Sequence, residues 1–184
     1  MTEHRLPRLR PDELSPPQRA LYDTIAGGPR ASGPFALVGD DGSLEGPFNA
    51  MLLQPALGEA LQALGGAVRY RTALSPRSRE IAILTVARVW DSAFERRAHE
   101  AVAGAAGMSP AELAALRDGD PSVFPDPHER LVLSVATALA SRRDLTDDEY
   151  SAAVDGLGLP LLFELTTLVG YYSTLALQLR VFRV

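Results

Sequence analysis

The sequence predicts an all-α protein, on three observations. Apolar residues recur at spacings of three and four, Ser-Pro steps and capping-box patterns open successive segments, and no run alternates with period two for long enough to argue for a sheet. About eight helices are expected. The length of 184 residues suits one domain over 1–184, in which 1–45 is an N-terminal helix with a Gly/Pro-rich loop and 46–184 is the core.

The first helix, about 16–26, follows Ser15, with Pro16 and Pro17 in a first turn that tolerates a missing N–H and Gly27 placed to stop it. The stretch of about 27–47 is rich in Gly and Pro and longer than an ordinary connection, which marks a lid or a linker. A second helix opens at Pro55 and sets Leu57, Leu61, Leu64 and Val68 on one face. The third opens at Ser75-Pro76 and is apolar almost all round, so it belongs in the middle of the fold. A helix carrying Glu95 and His99 follows and should stop near Gly107. Ser109 with Glu112, and Thr146 with Glu149, have the form of capping boxes. Beside them run a surface crossing, RDGDPSVFPDPH, and two periodic apolar segments, HERLVLSVATALASRR and PLLFELTTLVGYYSTLALQLRVF.

Composition narrows the function. A hydrophobic share of 46% with 22% charged residues is that of an ordinary globule, and the net charge of −5 gives no footprint for nucleic acid. With no cysteine, thiolate metal sites, Cys nucleophiles and dithiol redox chemistry are excluded. The charged N-terminus lacks an apolar signal segment, so a cytoplasmic location is expected. The uncharged tract Leu165–Leu179 falls short of the ~20 residues that span a bilayer, so no membrane partner is expected and the tract reads as a helix in the core or at a subunit contact.

The stretch WDSAFERRAHE, Trp90–Glu100, supports two readings. Ser92-x-x-Glu95 has the form of a capping box, while Glu95 and His99, four apart, share one helical face that a small molecule can touch. Glu80 is a carboxylate in the first turn of the apolar helix, where the helix dipole would account for it. A short turn packs that helix against the next, which lets Glu80, Glu95 and His99 face one another. Such a cluster can hold a proton near neutral pH. A metal held by two carboxylates and one imidazole is a weaker reading, because His4 and His128 read as solvated, and Ser92 lacks the context of a hydrolase nucleophile.

The blocks GPFNAML (Gly46–Leu52), REIAILTVARVW (Arg79–Trp90), FERRAHEAVAGAAGMSPAEL (Phe94–Leu113) and LVGYYSTLA near the C-terminus together resemble the carboxymuconolactone decarboxylase family, which includes the AhpD-like alkylhydroperoxidases. The resemblance spans about 46–182. It implies an AhpD-like orthogonal helical bundle that oligomerises, as a homo-oligomer of trimer or hexamer type. The AhpD-like pattern is a glutamate, a Cys-x-x-Cys pair and a histidine. Glu80 and His99 match its ends, but Ser92 and Glu95 stand at the cysteine positions, which removes peroxidase chemistry. What remains is a cofactor-independent decarboxylase-like enzyme acting on a small carboxylated lactone or carbonyl compound. In that expectation His99 donates the proton, Glu95 orients it, Glu80 relays or holds a proton, Arg88 clamps a carboxylate, and Asn49, Phe48 and Tyr172 line the pocket. A hydrolase or isomerase using the same cluster, and a non-catalytic oligomeric binding protein, stay open as alternatives.

Overall fold

Six of the eight α-helices among the described residues open on a proline, where the missing N–H costs nothing and φ is already helical. The computed structural model describes residues 5–184, so His4 and the rest of 1–4 lie outside it. The helices are α1 (Pro16–Ala26), α2 (Pro47–Met51), α3 (Pro55–Tyr70), α4 (Pro76–Val89), α5 (Ala93–Ala105), α6 (Pro110–Asp118), α7 (Pro127–Arg142) and α8 (Asp147–Phe182). No strand occurs among the described residues, only an isolated bridge between Val38 and Leu44, so the expected all-α class holds.

The expected count holds through two differences that cancel. Five-residue α2 has no apolar periodicity to announce it. The segment opening at Thr146 and the final apolar segment from Pro160 run together as α8, which bends at Gly158 with φ 79° and ψ 157°. At 36 residues, α8 is long and apolar enough to cross a membrane by length and composition, unlike the short tract read from the sequence. Its inner face, with Leu165, Leu168, Tyr172 and Leu175 buried, packs on α4 and α7.

The centre of the fold is α4, which packs against α5, α6, α7 and α8 and buries Ile81, Ala82, Ile83, Val86 and Ala87 completely. Its near-continuous apolar sequence therefore matches its position. In α3 the apolar stripe and the buried face do not coincide: Leu57 and Leu64 are exposed, while Gly58, Gly65 and Val68 are buried. The glycines explain this, because a Cβ at Gly58 would meet the Met51 carbonyl at 2.2 Å and one at Gly65 would meet the Tyr171 hydroxyl at 2.1 Å. Close backbone approach selects the small-residue face.

The two irregular stretches are also more ordered than their composition suggests. In the first, the 3-10 turn Pro29–Ser32 and the Val38–Leu44 bridge fold the chain back, and Leu37 and Leu44 enter the core. In the second, Phe124 is fully buried, so the crossing is anchored rather than lying on the surface, and His128 falls in the first turn of α7.

Candidate active site

Glu80 and His99 meet because α4 and α5 are joined by only three residues. The turn is a Schellman motif: Asp91 takes φ 50°, and the Ser92 N–H donates to the Ala87 carbonyl at 2.8 Å. The tight reversal packs α5 along α4 and brings His99 Nδ1 to 2.7 Å from Glu80 Oε2. Glu80 is 1% exposed and lies in the second turn of α4, so the helix dipole does not account for it. Arg69 Nη1 at 3.7 Å and Arg79 Nε at 4.0 Å face its other oxygen. A carboxylate at that position takes the Nδ1–H, which leaves Nε2 as the ring nitrogen free for a ligand.

His99 stands on the wall of a small, partly enclosed pocket with a cavity volume of about 90 Å³. Glu95 lies one helical turn before it on the same wall. The residues around them are largely apolar and aromatic: Phe35 and Leu37 from the loop after α1, Phe48 from α2, Phe94 from α5, and Tyr171 and Tyr172 from α8. The Tyr172 ring stands edge-on to His99 with centroids 5.1 Å apart. Gly46 admits Phe94 to this wall, since at its φ of 57° a side chain is strained and a Cβ would lie 2.1 Å from the Phe94 ring.

The expected capping box at Ser92 does not form. The Ser/Thr boxes that do form, at Ser15, Ser109 and Thr146, have N-cap ψ values of 159°, 158° and 164°, whereas Ser92 has ψ 97° because the Schellman turn fixes it. Its hydroxyl is left without a partner, and so are both carboxyl oxygens of Glu95, which is 2% exposed. Burial pushes the Glu95 carboxyl up from its ordinary 4.5 to about 8, and the nearby Ser92 hydroxyl offsets only part of this. Glu95 is therefore a neutral acid at pH 7, with a proton to donate into the pocket.

Two expected binding residues lie elsewhere. Arg88 faces Asp91, Arg96 and Arg117, away from the pocket, with its guanidinium against Gly119. Eight residues at ~100° each leave it about 80° from the Glu80 direction and roughly 12 Å along the axis. Asn49 is consumed structurally: its amide donates to the Pro7 carbonyl at 2.9 Å and its oxygen accepts from the Leu9 N–H at 3.1 Å, pinning the N-terminal segment. Phe48 and Tyr172 do line the pocket. The cations there are Arg30 and Arg69, which sequence reading missed. Arg30 lies in a loop without periodicity, and Arg69, at the end of α3, looks like a surface residue until α3 meets α8.

Fold and site define an all-α protein with a buried carboxylate–imidazole pair behind an apolar pocket. Residues 55–138 match the Carboxymuconolactone decarboxylase family, from the start of α3 into α7. The match bears out the resemblance drawn from the motifs and contains Glu80, Glu95 and His99; the GPFNAML and LVGYYSTLA blocks fall outside it. At family level it supports a decarboxylase-like or AhpD-like function. No curated protein matches the chain.

Proposed function

We propose that this protein is a cofactor-independent, decarboxylase-like enzyme acting on a small carboxylated lactone or carbonyl compound. The observation that carries this reading is the Glu80–His99 contact at 2.7 Å, with His99 on the wall of an apolar pocket. Glu80 accepts the Nδ1–H of His99 and holds the ring in place. Glu95, neutral and unpartnered, offers its O–H to the oxygen on which negative charge develops. As the C–C bond to the carboxylate breaks, its electron pair passes into an enolate and CO₂ leaves. The enolate carbon takes the proton from His99 Nε2, and solvent returns a proton to the ring.

In this assignment Glu80 rather than Glu95 orients the imidazole, because the Nδ1 contact runs to Glu80. The test is CO₂ release from carboxylated lactones and β-keto acids by wild type and His99→Gln. Wild-type release with a loss of at least about a hundredfold in the folded variant is expected. An equally active His99→Gln would overturn the reading.

The enzyme is further proposed to work as a cytoplasmic homo-oligomer. On α8, Leu159, Phe163, Thr166, Gly170, Thr174, Leu177 and Val181 form an exposed, uncharged stripe at spacings of three and four. It runs roughly 33 Å along the helix, and its small central residues allow a second copy of α8 to approach closely.

A further inference from the structure

One charge on the pocket wall has no counterpart. Arg30 is half-buried on the 3-10 turn Pro29–Ser32, with its guanidinium 5.5 Å from the Phe48 ring centroid and 6.0 Å from that of Tyr70. Its Nη1 donates to Gln62 Oε1 at 2.9 Å, and it pairs with no carboxylate among the described residues. Arg69, the other cation on the wall, faces Glu80. The bare glycine at 65 adds a second donor: the Tyr171 hydroxyl and Arg30 Nη2 lie 2.1 and 2.9 Å from the same point, where a Cβ would stand. Arg30 and Tyr171 both line the pocket, so a guanidinium and a phenol stand near each other on its wall. A carboxylate, with two oxygens in one plane, matches a guanidinium edge and a phenol together.

We propose that Arg30, assisted by Tyr171, is the specificity-determining residue of this pocket: it binds the carboxylate of a flat, otherwise apolar ligand and makes neutral analogues bind poorly. This deepens the substrate reading above and rests on that pocket being the substrate site.

The experiment is calorimetric titration of the intact protein with benzoate and with benzamide, its neutral isostere, at pH 7. Wild type is expected to bind benzoate about tenfold or more tightly than benzamide, and Arg30→Met to lose about that factor for benzoate while binding benzamide as before. Arg30→Gln, read alongside a circular-dichroism melt, guards against a folding defect in the first variant. No benzoate binding by wild type, equal binding of the two probes, or unchanged benzoate affinity in both folded variants would overturn the proposal. The two readings fail separately. Discrimination that depends on Arg30 without turnover of any lactone or keto acid sinks the enzyme and keeps the subsite. Turnover with benzoate affinity indifferent to Arg30 does the reverse.

Discussion

A buried carboxyl group without hydrogen-bond partners makes stability depend on pH in the opposite sense to a salt-bridged one, and Glu95 is such a group. With its pKa raised from 4.5 to about 8 by burial, the folded state keeps a proton that the unfolded chain has released. Its contribution is complete below about pH 4.5 and is lost as pH rises to about 8, at up to about 1.4 kcal/mol per pH unit. Denaturant titrations between pH 5 and 8 should show wild-type stability falling, and Glu95→Gln should flatten the fall. The same protonation places the upper limb of the activity profile near pH 8, and Glu95→Gln should remove that limb. Ser92 yields a contrasting expectation. Its hydroxyl neither caps α5 nor finds another partner, so Ser92→Ala should change stability by less than about 0.5 kcal/mol. A melting curve that showed the full loss of an N-cap would mean that the Schellman turn does not hold ψ where the structure puts it.

Between elements, Arg77 ties three helices together. From the first turn of α4 it donates to Glu129 of α7 at 2.7 and 3.0 Å, to the Gly107 carbonyl after α5 at 3.1 Å, and to Glu112 of α6. The Arg77 contacts hold the Glu112 carboxyl well below its usual range, at about 2. Glu129 is buried, so removing its partner leaves a charge with little water to solvate it. Arg77→Ala should therefore cost about 3 kcal/mol, visible as a lower denaturation midpoint, with a smaller loss in Arg77→Lys. Catalysis should survive in the folded fraction, because none of Arg77, Gly107, Glu112 and Glu129 lines the pocket. Helix starts at this level were legible: Ser-Pro at 75–76 and the boxes at Ser109 and Thr146 each act within one turn. The tilt of α3 onto its glycines was not, since it depends on how near Met51 and Tyr171 come.

At the scale of the whole molecule, the outward stripe of α8 decides the expected assembly. Leu53, Leu57 and Leu64 are exposed on or before α3 as well, and a groove between α2, α3 and the end of α8 is lined by Leu53, Leu57, Leu61 and Phe182. A chain of 19.7 kDa that leaves so much apolar helix surface open should self-associate at micromolar concentration. Light scattering should report a trimer or hexamer for wild type, and Phe163→Glu, on a side chain 72% exposed, should shift it to smaller species without unfolding it. A wild type that scattered as a monomer would remove the oligomer from the proposed function.

What the sequence by itself determined is local. Proline and serine punctuation set the helix starts, the four-residue step put Glu95 and His99 on one face, and the family blocks marked Glu80 as their companion. Only the tertiary structure decided which groups meet. The Glu80–His99 contact joins residues 19 apart, and Arg30, Phe48, Arg69 and Tyr172 reach the same pocket from four separate segments. Arg88 and Asn49, chosen for their neighbourhood in the chain, turn instead toward α6 and the N-terminal segment. The physical reason is range: caps and periodicity are fixed by bonds within one turn, whereas a site assembled across helices depends on packing distances that no local pattern encodes.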